Sequence, residues 1–130
     1  MTGSWDAGIR RVYALDRGGS PAIHTIRNGD PFEVIAEISI GPSLMQVVTG
    51  CDLAVSVRNL SQSRILACQR LSYPLAAQEG GLRHRLDVTV DAGWTADEGD
   101  VLEVLASFKV TAGVHRTYSL ARSAPFIVSC

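Results

Sequence analysis

Apolar residues recur at every second position through most of the chain, and this period constrains the possible folds more than any other feature. Four stretches show it clearly: residues 32–40, 51–57, 82–90 and 102–110. The intervening positions carry mainly charged or hydroxyl side chains, with Ile35 as an apolar exception. Successive side chains of a β-strand point to opposite faces of its sheet. The alternation therefore predicts antiparallel strands with one buried and one solvated face.

Clusters of turn-forming residues separate these runs and set the boundaries of the predicted strands. The clusters are DRGGSP, RNGDP, GPS, NLSQS, QEGG and ADEGD, and such residues favour turns over continued strands. We predict strands at residues 9–15, 22–27, 31–40, 51–59, 64–71, 82–91, 101–111 and 115–128, the last broken near Ser123. Residues 72–81 can form one short helical turn at most. The pattern predicts an all-β fold, an antiparallel immunoglobulin-like β-sandwich of seven to eight strands. A ligand-holding barrel would need a second set of apolar residues for its cavity.

Length and charge limit the classes of function. The chain has 130 residues, which predicts a single domain over residues 1–130 with residues 1–7 as a flexible N-terminal arm. Twelve basic and 13 acidic residues give a net charge of −1, so no basic excess for nucleic acid is present. The basic groups at residues 10–11 and 83–85 are interpreted as solvated strand faces. No membrane-length apolar run or secretory leader is visible, so we expect a cytoplasmic protein with no nucleic-acid or membrane partner.

The three cysteines, Cys51, Cys68 and Cys130, are too few and too widely spaced for a disulfide framework or a zinc site. A bridge between Cys51 and Cys68 is possible because the two residues fall on adjacent predicted strands. Two buried free thiols are the favoured interpretation, because free cysteine behaves as a small apolar residue.

The turn between residues 110 and 115 decides which face of the last long strand is buried. A two-residue turn would place the apolar residues of the two strands on opposite faces, whereas an odd-length loop would align them. We therefore predict a bulged or longer connection. In that register Tyr118 packs with Phe108, and His115, Thr117 and Ser119 point outward.

The first third of the chain, GIRRVYALDRGGSPAIHTIRNGDPFEVIAEISI, carries a family resemblance. A strand ends in an Asp-x-x-Gly pattern at Asp16 and Gly19, and Gly29–Asp30 precedes a second long strand. These residues, with EGDVLEVLASFKV and PFIVS near the end, resemble immunoglobulin-like modules such as the carbohydrate-binding C-terminal domain of O-antigen ABC transporters. The resemblance implies the sandwich fold and a glycan ligand, although no specific sugar-binding residue can be matched.

Candidate site residues come from loops and from the last hairpin. Trp94, in a loop, is either a stacking platform for a ligand or a plug that closes the core, and the plug is the favoured interpretation. His115, Arg116 and Arg122, near the hairpin tip, form the best candidate binding surface. His84 lies on an apolar strand face, which predicts a hydrogen-bonded core residue, and the acidic TADEGD segment at residues 95–100 predicts a solvated turn. No catalytic or metal-binding signature is present, so we expect no catalytic residues, metal or cofactor.

These observations favour a non-catalytic binding module that recognises a glycan or a protein partner through end loops or an edge strand. An edge strand can also support a homodimer by strand addition. The second hypothesis is a small β-fold enzyme of the cyclase or isomerase type, which requires an enclosed pocket. The third is a structural or assembly subunit.

Overall fold

The computed structural model describes residues 4–16 and 24–129, and these residues form nine strands and one short helix. The strands are β1 (Ala7–Asp16), β2 (Thr25–Arg27), β3 (Phe32–Ile40), β4 (Gly50–Asn59), β5 (Arg64–Pro74), β6 (Leu82–Val90), β7 (Val101–Ala112), β8 (His115–Arg122) and β9 (Phe126–Ser129). The predicted break near Ser123 separates β8 from β9. Within the described residues the predicted strands are therefore confirmed, with end positions that shift by up to three residues, and residues 22 and 23 of the second predicted strand lie outside the described residues.

The strands pack as two sheets, which confirms the antiparallel immunoglobulin-like sandwich. The smaller sheet has the order β1-β3-β6, with both pairs antiparallel. The larger sheet has the order β2-β9-β7-β4-β5, and β8 also pairs with β7. Only β2 and β9 pair in parallel within the part of the chain described. β7 is the hub of the larger sheet, because β4 lies along one edge while β8 and β9 share the other.

The inner faces of the two sheets form one hydrophobic core, as the period of two predicts. Val34, Leu53 and Val104 are fully buried, and each belongs to the apolar set of its own strand. At one end of the core Phe32 meets Phe126 edge-to-face, with ring centroids 5.8 Å apart. This end of the sandwich also holds the long loop between β6 and β7.

The one described helix lies at residues 42–45, where the cluster GPS predicted only a turn. α1 (Pro42–Met45) follows β3, with Pro at the first helical position and Leu44 and Met45 buried. Proline is favoured at that position because its fixed φ suits a helix and because an N–H group there would have no partner within the helix. Residues 72–81, for which one short helical turn was the most that was expected, contain none, since β5 continues to Pro74 and residues 75–81 contain no helix. No described helix is long and apolar enough to cross a membrane.

The N-terminal segment contacts the helix. The Gly41 N–H donates to the Asp6 carbonyl at 2.7 Å, and the Leu44 N–H donates to the Ser4 carbonyl at 3.0 Å. Ala7 already belongs to β1. Residues 1–3 of the predicted arm lie outside the described residues.

The turn between β7 and β8 contains two residues, so the predicted odd-length loop is wrong. Ala112 pairs with His115, and Phe108 pairs with Ser119 rather than with Tyr118. Gly113 has a φ of 62°, and Val114 does not have a positive φ. These angles fit a type II′ turn, which needs a positive φ only at its first central residue. The strand is therefore shifted by one residue from the predicted register.

Candidate functional site

The shifted register reverses the faces predicted for β8, because side chains alternate along a strand. Tyr118 and Leu120 point away from the core and are 69% and 65% exposed. Thr117 and Ser119 point inward, where the Ser119 hydroxyl accepts a hydrogen bond of 3.1 Å from the Ile9 N–H. The prediction that Thr117 and Ser119 face outward is therefore wrong.

Two of the predicted binding residues share the outward face. Arg116 and Arg122 are exposed and stand on either side of Tyr118 and Leu120. We call these four residues the β8 face. His115 is exposed as predicted, but it belongs to the alternate set of β8 positions at the hairpin tip.

Trp94 lies inside the core, and this burial corrects its inclusion among the binding residues. Only 8% of its surface is exposed. Its indole N–H donates to the Asp30 carbonyl at 2.8 Å, and its ring meets Phe32 edge-to-face at 6.1 Å. A ring held in this way closes the core and offers no face to a ligand, which confirms the favoured plug interpretation.

The β8 face continues across the larger sheet as rows of outward side chains. One row joins Tyr118 to Lys109 of β7 and Asp52 of β4, and the next joins Leu120 to Ser107 and Ala54. Small side chains therefore occupy the middle of the face, beside the exposed tyrosine and leucine. A broad and shallow contact surface results.

Basic groups dominate this surface. The outward rows that run from Arg116 to Arg122 contain four cations and one carboxylate. The cations are Arg70, Lys109, Arg116 and Arg122, and the carboxylate is Asp52. The Ser72 hydroxyl hydrogen bond and then the Lys109 ammonium lower the pKa of Asp52. The Lys109 Nζ lies 3.2 Å from the Asp52 Oδ2. The remaining three arginines give the face a net positive charge.

The acidic loop at residues 97–100 is only partly the solvated turn that was predicted. Asp97 and Glu98 are exposed, whereas Asp100 is buried. The Asp100 carboxylate accepts hydrogen bonds from the Asn59 amide at 2.8 Å and from the Asp97 N–H at 2.9 Å. These two bonds, that of Asn59 foremost, lower the pKa of Asp100. Its role is therefore to organise the loop, because its charge is already satisfied within the protein.

The two described cysteines are free thiols, as favoured, but only Cys51 is buried, so the predicted burial of Cys68 is wrong. Cys51 is buried opposite Tyr73, and Cys68 is exposed opposite Ser56. Burial, with a smaller contribution from Asp52, raises the pKa of Cys51 to about 11. Cys130 lies outside the described residues.

Two adjoining clefts mark the outer side of the smaller sheet. Their volumes are about 800 and 500 Å³. Arg10 and Arg83 line both clefts, and Arg11, Arg85 and Glu37 line the second. We call this region the arginine cleft. The two basic segments that were interpreted as separate solvated faces thus meet at one site.

His84 also lines the second cleft and is exposed. Its predicted place in the core is therefore wrong. β6 is an edge strand whose buried core residues, Leu86, Val88 and Val90, lie in its second half, while Leu82 packs against the core only in part.

The enzyme hypothesis required an enclosed pocket with a titrating histidine or carboxylate inside it. Both clefts are open to solvent, and neither is lined by Asp52, Asp100 or Cys51, whose pKa values are shifted. Within residues 4–16 and 24–129 no three histidine, cysteine or acidic side chains are grouped in a way that could hold a metal ion.

Comparison with known proteins yields the fold alone. No family model matches the chain, and no curated protein matches it. Spo0M, a sporulation control protein of Bacillus subtilis, is similar in structure, with a TM-score of 0.52 and 12% identity over 96% of this chain and 50% of Spo0M. A glycosyl hydrolase family 2 member of Bacteroides cellulosilyticus DSM 14838 gives a TM-score of 0.51 and 11% identity over 92% of this chain and 15% of that protein. The chain therefore spans half or less of these proteins. Neither is an O-antigen transporter domain, so that resemblance stays a prediction, and the structural similarity places the chain among the immunoglobulin-like β-sandwich domains.

Proposed function

We propose that this chain is a non-catalytic binding module and that it docks a protein partner on the β8 face. The observation that carries the proposal is the exposure of Tyr118 and Leu120 side by side between Arg116 and Arg122. Large apolar side chains on a sheet surface lose contact with water when a partner covers them. Tyrosine and arginine are also the residue types that most often dominate the energy of protein interfaces.

The chemistry of the face favours a protein over a glycan. A sugar would stack on Tyr118 and hydrogen-bond to the arginines, but it would gain little from Leu120 or from Leu105, a partly exposed residue of β7 that pairs with Arg122. A protein gains from all of these residues. Because the face carries a net positive charge, the partner is expected to present an apolar centre with an acidic rim.

The comparisons support a module role in a limited sense. Similar sandwiches make up half of Spo0M and about one seventh of the glycosyl hydrolase, so this fold occurs as one part of larger proteins. A sandwich that serves as a component must offer a surface to something else, and the β8 face is such a surface.

A second copy of the chain is the other partner that the fold could accept. β5 has 11 residues and pairs with β4 along one edge only, among the strands described. An open edge of this length can add a strand from another molecule. Sedimentation velocity over a wide concentration range tests this mode, and a constant monomer mass would exclude it.

The test of the β8 face places a photo-crosslinking phenylalanine analogue at position 118. We expect one protein to be captured after irradiation in an extract of the source organism. The captured protein is then purified, and its affinity is measured directly for the wild type and for Leu120→Ser. We expect Leu120→Ser to weaken binding at least about tenfold, which corresponds to about 1.4 kcal/mol of binding free energy.

Val47→Ser is the matched control, because Val47 is a similarly exposed apolar residue that lies outside the larger sheet. Unchanged affinity in this variant would confirm that the loss is specific to the face. Equal affinity of the wild type and Leu120→Ser would refute the proposed docking surface. Binding on a glycan array that disappears with Tyr118→Ser would replace the protein partner with a sugar.

A further inference from the structure

The arginine cleft brings four guanidinium groups from two distant segments to the same side of the smaller sheet. Glu37 of β3 lies in register between Arg11 of β1 and Arg85 of β6. The register of β1 shifts between Ile9 and Arg11, which makes Arg10 the additional residue of a β-bulge. Bulges turn a side chain away from the regular alternation and occur often at binding sites.

The charges of the cleft are poorly compensated within the protein. Its lining includes Arg10, Arg11, Arg83 and Arg85 but only one acidic residue, Glu37. Arg85 forms an ion pair of 3.6 Å with Asp87, and Arg11 lies over the ring of Tyr13 at 4.5 Å. Among the ion pairs of the described residues, none includes Arg10 or Arg83. Four like charges gathered on a protein of net charge −1 repel one another, and a bound anion would relieve that repulsion.

The backbone gives one end of the cleft a defined shape. Gly41, Pro42 and Gly81 line the larger part together with Ile40. A Cβ atom at Gly81 would lie 2.9 Å from the Ile40 carbonyl oxygen, so only glycine allows this close approach. The two volumes, about 800 and 500 Å³, lie in the range of small-molecule sites.

We propose that the arginine cleft binds a small anion that carries at least two phosphate or carboxylate groups. Planar guanidinium groups bind both kinds of group through paired hydrogen bonds. Arg10 and Arg83, which line both parts of the cleft, are the principal contacts. This site is separate from the β8 face, which lies on the other sheet, so either proposal can fail without the other.

Isothermal titration at constant ionic strength tests the proposal with two probes, tripolyphosphate and citrate. We expect saturable binding of one probe per chain, and the preferred probe identifies the anionic group. The double variant Arg10→Gln with Arg83→Gln is expected to weaken binding at least about tenfold. Arg116→Gln removes the same charge from the β8 face and is expected to leave the affinity unchanged.

Glu37→Gln supplies the sharpest test, because it predicts a gain that damage to the fold could not produce. Removing the one carboxylate of the cleft should tighten binding about threefold or more. Unfolding midpoints without probe verify that each variant is folded. The proposal is overturned if neither probe saturates, if Arg116→Gln weakens binding as much as the double variant does, or if Glu37→Gln fails to tighten it.

Discussion

Replacement of Trp94 measures whether this residue is a structural plug. In Trp94→Ala the core loses an almost fully buried indole, and such truncations destabilise by about 3–5 kcal/mol. Trp94→Phe keeps an aromatic edge against Phe32, but it loses the hydrogen bond to Asp30 and part of the ring volume. The hydrogen bond contributes about 1 kcal/mol and the lost volume about 1–2 kcal/mol. We therefore expect Trp94→Phe to destabilise by about 2–3 kcal/mol.

Trp5 provides an internal control, since it is the other tryptophan and is 61% exposed. Trp5→Ala should change the free energy of unfolding by less than about 0.5 kcal/mol, as exposed positions usually do. Because both residues are tryptophans, the difference between the two losses of stability reports the effect of burial alone.

Urea unfolding followed by far-UV circular dichroism is the suitable assay, because tryptophan fluorescence would change with the substitutions themselves. For a domain of this size each kcal/mol of unfolding free energy corresponds to about 3–6 °C in Tm. In thermal unfolding Trp94→Ala should therefore lower Tm by at least about 10 °C. If Trp94→Ala fails to fold, Trp94→Phe still carries the comparison. A loss below about 1 kcal/mol for Trp94→Ala, or one equal to that of Trp5→Ala, would refute the plug and restore the stacking platform.

Four further predictions concern the loop, the two thiols and the turn. The hydrogen bonds to Asp100 hold its pKa below the ordinary value, so the wild type should lose stability as the pH falls below about 4, and Asp100→Asn should flatten this dependence in denaturant midpoints. The raised pKa of Cys51, about 11, means that the unfolded chain releases this proton first, so stability should fall as the pH rises from about 9 to 11, less so in Cys51→Ala. Labelling of native protein with a thiol reagent at neutral pH should lose one equivalent in Cys68→Ser and none in Cys51→Ser. Gly113→Ala should destabilise by about 1 kcal/mol, because alanine resists the positive φ of this turn; no loss in thermal unfolding would contradict the type II′ assignment.

The fold could be predicted from the sequence because strand existence depends on a local signal. The alternation of apolar residues and the turn clusters define β3, β4, β6 and β7 almost to the residue. Ile35, the one interruption in the polar face of β3, is fully buried on the outer side between Tyr13 and Asp87 of the flanking strands. The alternation of inner and outer positions along β3 therefore continues through Ile35, although this outer side chain is apolar.

The arginine cleft could not be predicted, because it depends on the order of strands in a sheet. β1 and β6 are separated by more than 60 residues of chain, and both flank β3. Each basic segment on its own matches a solvated strand face. Only the order β1-β3-β6 joins the two, and no short-range pattern encodes that order.

The β8 face was predicted only in part, through Arg116 and Arg122, and the reason that Tyr118 and Leu120 were missed bears on how its function is to be tested. A loop of odd length was predicted because only such a loop would turn Tyr118 and Leu120 toward the core. The actual two-residue turn leaves both side chains outside, and the short polar residues Thr117 and Ser119 fill the inner positions beside β1.

A strand that turns its apolar residues toward solvent gives up about 25 cal/mol for each Å² left exposed. Such a register is expected to persist where a partner covers the exposed residues. Tyr118→Ser should therefore leave the unfolding midpoint of the isolated chain unchanged or slightly raised while it lowers the affinity for the purified partner at least about tenfold, and a stability loss of about 2 kcal/mol or more would show that Tyr118 packs inside after all.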